Sequence, residues 1–431
     1  MFLADFTLVF LIYLLFARRK AGNDSTIIEY INIALLEGDI LTEAWLIEIA
    51  KGIGMIFLNP LLYWSIFFVF IVGYRRVKKE RMDFGIKVFD VFAEWKGTWM
   101  FSLLFGIVLS LITIGVGIVF SYETILLLCM VVILFSITFK FTLLSASYTI
   151  GITYLMLLLL PFLLENQSYV KADLFSQTNF IGLAILLGIF LIAEAVLLFR
   201  VKRNESFPGL VLGNRGAWVG QHRIRKLSMI PFFTLVPAGM ITPFAPFWPY
   251  FSIGESSYSL ILVPFVIGFD FMIRGSLPKS AAATLAKATA FLGVIVLLMA
   301  VGGIYLFWLS FLSVVIAILG REYIRYRHNV NDRKGIPYFH QINNGLKVLG
   351  IIPGSPADRL KILSGETISK VNGKKVNSEA AFYLFLQDSG SFFKLEILDD
   401  AGEIRLLQSA FYEGEHHELG LLFTTEPYRN K

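Results

Sequence analysis

The sequence predicts a polytopic α-helical membrane domain followed by a small α+β domain. The 431 residues are 56% hydrophobic, have a mean hydropathy of +0.69 and are only 16% charged, whereas about 25% of the residues in a soluble protein are charged. The apolar residues lie in long blocks and not at amphipathic spacing, which is typical of membrane spans. After about residue 335 the blocks give way to short strand-like runs separated by turn residues, which indicates a separate soluble domain.

The N-terminal segment, residues 1–43, is of uncertain status. Phe2–Ala17 is apolar but short for a span, and the basic residues Arg18–Lys20 follow it. A signal peptide would carry these charges before its apolar run. Three interpretations of this region stay open. In the first, the apolar run lies on the membrane surface; in the second, a helix over Trp45–Leu58 is interfacial or re-entrant and ends at Asn59-Pro60. In the third, the start of the chain is mis-assigned.

Residues 44–325 form the predicted transmembrane domain, with about eight to ten spans because each span needs about 20 apolar residues. The run Ala281–Gly320 is long enough for two spans, with a break near Gly302-Gly303. The other predicted spans are Ile53–Tyr74, Trp99–Phe120, Thr124–Leu144, Tyr148–Leu164, Phe180–Phe199, Ile230–Phe251 and Tyr258–Ile273.

Two loops of the membrane domain, residues 75–96 and 200–229, are strongly basic. The positive-inside rule puts them in the cytoplasm. Counting spans onward puts the stretch REYIRYRH after Gly320 on the same side, and with it the domain over residues 335–431. The net charge of +6 comes from such clusters beside spans, so it is a topology signal and does not indicate nucleic-acid binding. The predicted localisation is the cell membrane, multi-pass, with a cytoplasmic C-terminus.

Proline and charged residues inside the membrane domain lead to three further predictions. The segment Ile230–Phe251 contains Pro at five positions, which predicts a kinked or partly re-entrant span; the broken helix of a transporter is the alternative. Asp270 stands four residues before Arg274, the spacing of a helical ion pair near a membrane edge. Glu194 lies near the cytoplasmic end of its span, where we expect it to snorkel.

Turn signals divide the C-terminal domain into strands and one main helix. Asn372-Gly373 predicts a two-residue hairpin, and Asp400-Ala401-Gly402 predicts a second hairpin. Between them, the stretch NSEAAFYLFLQDSG indicates a helix with Ser378 as its N-cap and Gly390 near its end. Strands with one main helix in roughly 90 residues predict a small α+β fold.

Two motifs in this domain, IIPGSPA and GETISKVNGKKV, resemble the bacterial PDZ domains. Pro356 is expected to fix a turn, Ala357 to pack closely beneath it, and Gly365 to adopt a positive φ. The stretch DRLKILSGE departs from the Gly-Leu and Gly-Asp that such domains often have. The resemblance implies a module that holds a peptide as an added strand, with backbone amides that capture a terminal carboxylate.

The resemblance puts the amide loop at Gly335-Ile336-Pro337-Tyr338-Phe339. Pro337 has no amide to donate, so an internal peptide segment is an alternative ligand. Leu419-Gly420-Leu421 is a second candidate loop, at the other end of the domain. Alternatively, the apolar helix residues fill the core or pack on the membrane domain. The predicted peptide-binding residues are Ile336, Tyr338, Phe339, His340, Phe382 and Phe385.

The sequence contains no complete catalytic, metal or cofactor motif. The single cysteine, Cys129, lies in an apolar run, and none of the five histidines fits the pattern H-E-x-x-H. Ser276 and Lys279 have S-x-x-K spacing without the accompanying motifs, and Asp270 lacks the second intramembrane Asp of an aspartyl protease. We predict a protein that is not an enzyme and has no cofactor; a PDZ-containing membrane protease and a regulated transporter are the alternatives.

From Ala44 onward the chain resembles the MinJ family of cell-division topology proteins. The resemblance rests on KGIGMIFLNPLLYW, on GYRRVKKERMDFGIKVFDVF, and on GLKVLGIIPGSPA with VNGKKV. It implies a non-enzymatic membrane adaptor that links a DivIVA-like polar scaffold to the division inhibitor MinD, a MinD-like ATPase, and to other divisome components. It also implies contact with membrane lipid, no nucleic acid, and localisation at the septum and poles.

Overall fold

The computed structural model forms a bundle of apolar helices around a long β hairpin, with a sheet-rich module docked beside it. The predicted N-terminal segment lies outside the described residues except for residues 42 and 43. The structure describes residues 42–164, 179–213, 216–245, 247–252, 257–342, 344–390, 392–410 and 419–430.

Apolar helices build most of the membrane domain. Among the described residues, five of them are long and apolar enough to cross a membrane, namely Pro60–Phe84, Trp99–Val116, Phe180–Phe199, Pro278–Gly302 and Phe307–Lys334. The apolar stretches Tyr122–Ile137 and Ala146–Leu160 are shorter. The chain is therefore a multi-pass membrane protein. The helices are α1 over residues 42–56, α2 Pro60–Phe84, α3 Trp99–Val116, α4 Tyr122–Ile137, α5 Ala146–Leu164, α6 Phe180–Phe199, α7 Pro278–Gly302 and α8 Phe307–Lys334.

Local sequence explains where these helices begin and end. The side chain of Asn59 caps α2, and Pro60 occupies the first helical position, where its missing amide costs nothing. The predicted span Ile53–Tyr74 is therefore wrong in its first part, since Asn59 and Pro60 separate α1 from α2. The predicted break near Gly302 is confirmed, because α7 ends there and α8 begins at Phe307.

Residues 230–241 of the predicted span Ile230–Phe251, and the whole predicted span Tyr258–Ile273, belong to the strands of an antiparallel hairpin and not to helices. The prediction is wrong because an apolar run of about 20 residues meets the length criterion for a span whatever its secondary structure. A third predicted span, Thr124–Leu144, divides into α4 and a 3-10 turn over Phe141–Leu144. The strands of this sheet are β1 Phe207–Leu212, β2 Trp218–Ile241 and β3 Tyr258–Ile273, in the order β1-β2-β3.

Side chains of α3 form hydrogen bonds with backbone groups of β2 on the edge that faces the helix. The Phe233 amide donates to Ser110 Oγ at 2.8 Å, and Thr113 Oγ1 donates to the Phe233 carbonyl at 2.5 Å. A Cβ at Gly106 would lie 2.0 Å from the Pro231 carbonyl oxygen, so glycine permits this close approach. Pro231 also brings no amide that needs a partner. Non-helical backbone at membrane depth is tolerated only when it is enclosed by protein in this way.

Glu194 on α6 is fully buried and does not snorkel. Its carboxylate forms an ion pair with Arg321 of α8, whose side chain is 3% exposed, and accepts a hydrogen bond from Ser145 at 2.7 Å. Arg321 also donates to Thr289 of α7 at 3.4 Å. The expectation of snorkelling is wrong because the fold brings a cation from a distant helix to the carboxylate. The pair joins helices α6 and α8 inside the bundle.

The C-terminal module has one core beneath an antiparallel sheet. Its elements are β4 Leu346–Ile351, α9 Pro356–Arg359, β5 Thr367–Val371, β6 Lys374–Lys375, α10 Glu379–Gln387, β7 Phe392–Leu398, β8 Ile404–Ala410 and β9 Leu421–Phe423. The sheet order is β8-β7-β5-β4-β9, and β6 pairs with β5. Phe382, Phe393 and Phe423 lie in the core together with aliphatic residues.

The local turn predictions for the module are confirmed. Asn372 and Gly373 have φ of 49° and 80° and join β5 to β6, as a hairpin turn with two left-handed residues requires. Gly365 has a φ of 96°. The Ser378 side chain accepts a hydrogen bond from the Ala381 amide and caps α10. These features follow from residues that are neighbours in sequence, which is why they could be predicted.

Candidate functional site

Arg203, in the turn between α6 and β1, joins the membrane domain to the module. Its guanidinium donates two hydrogen bonds to Asp400, at 2.5 and 2.6 Å, and a third to the Ser364 carbonyl. Two parallel bonds from arginine to a carboxylate fix both position and orientation. Asn204 contacts the same loop: its amide donates to the Ile362 carbonyl and its oxygen accepts from the Ser364 amide, each at 3.0 Å.

His222 on β2 is buried where the two parts meet. One ring nitrogen lies 2.8 Å from Ser206 Oγ of the membrane domain and the other lies 3.4 Å from Ser364 Oγ of the module. The ring of Phe339 packs on it with centroids 4.6 Å apart. Burial lowers the pKa of His222 to about 3, although a hydrogen bond with the Leu349 backbone acts in the opposite direction. The imidazole is therefore neutral at physiological pH.

Apolar contacts surround these polar ones. We call β1 and the part of β2 that pairs with it, residues 218–223, the platform. Phe339 and Leu349 of the module's side form a buried cluster with Leu210 of the platform. Leu422 of β9 is buried in a second cluster with Phe207 of the platform and with residues that follow α2. The module is thus docked through an interface of buried apolar and polar contacts, which fixes its orientation relative to the membrane domain.

The first candidate amide loop, residues 335–339, pairs with the membrane domain. The Tyr338 amide donates to the Arg274 carbonyl at 2.7 Å, and the Phe339 carbonyl accepts from the Gly220 amide at 2.8 Å. Phe339 is fully buried against the platform. Its side chain therefore lies in the docking interface, a position that the sequence analysis did not predict for it.

Two other predicted residues of this loop have different positions. Ile336 is 79% exposed. His340 is partly buried, and its Nδ1 lies 2.7 Å from the Pro337 carbonyl oxygen. Nothing in these contacts distinguishes a peptide-binding role from a connecting role, so their role in peptide binding stays a prediction.

The second candidate loop, Leu419-Gly420-Leu421, leads into β9 at the edge of the module sheet. Gly420 has a φ of 76°, a conformation that favours glycine. The carbonyls of Leu419 and Gly420 accept hydrogen bonds from Ala357 and Ile352, at 3.0 and 2.9 Å. Among the described strands, β9 pairs only with β4. Its second edge therefore has the geometry at which an extended peptide adds to a sheet.

Helix α10 flanks the sheet and contacts β9 through Phe382. The rings of Phe382 and Phe423 are 5.4 Å apart, and Phe382 is fully buried in the core. The ring of Phe385 lies 5.0 Å from Lys374 Nζ, toward β6. Because successive helix residues turn by about 100°, Tyr383 lies on the flank of Phe382 opposite to Phe385.

Comparison with known proteins gives the chain its family. It is 34% identical over 388 residues to the cell division topological determinant MinJ of Bacillus subtilis (strain 168), covering 89% of this chain and 96% of that protein. The chain belongs to the MinJ family. It is also 22% identical over 267 residues to the probable cell division topological determinants MinJ of Lacticaseibacillus paracasei and Lacticaseibacillus casei (strain BD-II), covering 59% of this chain and 69% of each relative. No family model matches the chain.

Asp270 of this MinJ-family chain belongs to a network of charges behind the platform. It accepts a hydrogen bond from Arg223 Nε at 2.6 Å and lies 3.3 Å from Arg225. The predicted helical pair with Arg274 is wrong because Asp270 stands on a strand, where residues four apart do not form the neighbouring pair of a helix. The Arg274 side chain instead donates to Gln221 at 3.1 Å.

The sequence analysis missed the residues that dock the module, Arg203, Asn204 and His222. All three lie in the basic stretch that was interpreted as a topology signal. The positive-inside rule concerns only charge, so it gives no partner for a particular Arg. The one local signal for a docking residue in this MinJ-family sequence was His222 itself. It is a histidine within a basic stretch that ends in an apolar run.

Proposed function

We propose that the protein is a non-enzymatic membrane adaptor that positions cell division. Membership of the MinJ family carries this proposal, because the similarity covers 96% of a relative that is named a cell division topological determinant. The alignment of 388 residues is longer than either part of the chain, so it extends across the membrane helices and the module. The role therefore needs both an anchor and a recognition surface.

The module over residues 335–431 acts, in this proposal, as a PDZ domain in the cytoplasm. The boundary is supported by the end of α8 at Lys334. A cytoplasmic position is supported by the basic residues at the end of α2, which lie on the module's side of the membrane domain. The ligand is an extended segment that pairs with the free edge of β9 and packs beside Tyr383 of α10.

The partners are a DivIVA-like polar scaffold, a MinD-like ATPase and other divisome components, at the septum and poles. The family resemblance supports these partners. The docked position of the module supports a fixed position for a bound partner relative to the membrane. Because the interface with the platform holds β9 in one orientation, a partner bound at this edge would lie at a set distance from the membrane. Membrane lipid is the remaining partner, and nucleic acid has no place in this role.

A matched pair of variants tests the binding edge. Tyr383→Ala alters the flank of α10 next to β9, whereas Phe385→Ala alters the flank next to β6. Full-length protein in detergent is mixed with purified DivIVA and MinD of Bacillus subtilis, and the retained amounts are measured. We expect Tyr383→Ala to weaken retention of one partner about tenfold, since a truncated contact side chain costs more than about 1 kcal/mol at a binding hot spot.

Phe385 is a peptide-binding residue by the sequence prediction, but its ring lies toward β6, and the present proposal assigns that role to Tyr383 in its place. Phe385→Ala is therefore the control and should retain both partners as wild type does. Equal loss in both variants would point to a general defect of the module and would refute the assignment to the β9 edge. Loss with Phe385→Ala alone would move the site to the β6 flank. Wild-type protein that retains neither partner would contradict the adaptor role itself.

A further inference from the structure

A cavity of about 260 Å³ lies between the C-terminal half of α2 and the platform. Helix α2 presents apolar side chains up to this level: Phe67, Phe70 and Tyr74 are each at least half exposed. Arg75 and Lys79 follow and are also exposed. This change from apolar to basic side chains, with a tyrosine at the boundary, marks the depth at which a helix leaves the hydrocarbon for the headgroups.

The lining of this cavity contains five cations and two carboxylates among uncharged residues. Arg75, Lys79, Arg223 and Arg225 all line it, and the guanidinium of Arg75 lies 4.0 Å from the ring centroid of Phe139. Within the described part of the chain, neither Arg75 nor Lys79 makes a salt bridge. Among the described residues, these two exposed cations at one mouth therefore form no close ion pair.

Arg225 adds a buried donor to the same lining. Its side chain is 9% exposed, and its Nη atoms lie 3.3 Å from Asp270 and 4.0 Å from Glu94. Its Nε has no hydrogen-bond partner among the described residues. A buried donor without an acceptor is unfavourable, so Arg225 brings a charge that is only partly satisfied into the cavity wall.

The two carboxylates that line the cavity, Glu80 and Asp83, already accept hydrogen bonds from other residues. Glu80 accepts hydrogen bonds from Arg76 at 2.5 Å and from the Val88 amide at 2.9 Å. Asp83 accepts from the Leu210 amide at 3.4 Å. Neither carboxylate forms a salt bridge with the two exposed cations, although the charge of Lys79 acts on Asp83. The mouth of the cavity keeps an excess of positive charge.

We propose that this cavity binds the phosphate of an anionic phospholipid headgroup. Phosphate oxygens accept hydrogen bonds from Arg75 and Lys79, Arg225 adds positive charge in the cavity wall, and the acyl chains lie along the exposed apolar face of α2. The volume is below the roughly 300–1,000 Å³ of small-molecule sites, which suits a small headgroup. Since the cavity is bounded by the platform, the bound lipid would also brace the surface on which the module docks.

The test counts lipids bound to delipidated full-length protein by native mass spectrometry. Wild type should hold a phosphatidylglycerol at least about tenfold more tightly than a phosphatidylcholine. Arg75→Gln with Lys79→Gln should weaken phosphatidylglycerol about 30-fold, because each cation near an anionic surface contributes about fivefold. Lys79→Gln alone should lose about fivefold, and this single variant keeps the test valid if the double variant melts early.

The matched control is Lys78→Gln with Arg81→Gln, which removes the same charge from exposed positions of α2 that do not line the cavity. It should bind phosphatidylglycerol as wild type does. Equal weakening in both double variants, or equal binding of the two lipids by wild type, would overturn the proposal. Inorganic phosphate that binds as tightly, with the same dependence on Arg75 and Lys79, would assign the site to free phosphate and overturn the lipid assignment.

Discussion

The carboxylate of Asp400 accepts two hydrogen bonds from the guanidinium of Arg203, across the boundary between the module and the membrane domain. The two residues are 197 positions apart in the sequence. Their bidentate geometry acts together with the contacts of Asn204 and His222, so the module is held in one orientation by polar geometry as well as by apolar area. The orientation of edge strand β9 relative to the membrane follows from this contact.

Arg203→Ala should loosen the module from the platform and leave the module sheet folded. The substitution removes three hydrogen bonds, and we expect a loss of about 1–2 kcal/mol of docking free energy because Asp400 is partly exposed to solvent. Hydrogen exchange should become faster at the amides of Ser364 and Tyr338. Lys202→Ala, at a side chain that is 81% exposed, is the control and should exchange as wild type does. Wild-type protection in Arg203→Ala would contradict the docking role of this pair.

Acid should loosen the same interface through His222. The folded pKa of about 3 lies below the unfolded value of about 6.5, so the folded state binds fewer protons. The stability is complete above pH 6.5 and is lost as pH falls from 6.5 toward 3, with about 2 kcal/mol gone at pH 5. Thermal melting at pH 7.5 and pH 5 measures this loss.

The comparison for this pH dependence uses two histidine variants. His222→Gln keeps a neutral polar side chain and should lose most of the difference between the two pH values. His340→Gln, at a partly buried site outside the His222 contact, should keep it. A wild-type melting temperature that is the same at both pH values would refute the role of His222.

Glu194→Gln should destabilise the helix bundle strongly. It leaves Arg321 buried without its anion, which costs about 3–5 kcal/mol. Replacing both residues with leucine should be milder than the single change, because no unpaired charge remains. Glu322→Gln, at a side chain that is 53% exposed, is the control and should cost less than about 1 kcal/mol. A Glu194→Gln protein that unfolds in detergent at the wild-type temperature would contradict the buried pair.

How far the sequence predicts this structure depends on how local each feature is. Helices α6, α7 and α8 follow from apolar runs, because a helix satisfies its backbone within one segment. The β2–β3 hairpin does not, because its outer edge is satisfied by Ser110 and Thr113 of another segment. The turn at Asn372-Gly373 needs only two adjacent residues, whereas the contact between Arg203 and Asp400 exists only after the whole chain has folded.

In the proposed role the module positions cell division, and the position of the septum in cells is the readout closest to that role. Bacillus subtilis cells that lack their own MinJ relative receive either this chain or a chain that ends at Lys334, at equal levels in the membrane. The full chain should restore septa at mid-cell. The truncated chain should leave cells filamentous or with misplaced septa, and the MinD-like inhibitor dispersed. Mid-cell septa and normal cell length with the truncated chain would contradict this role.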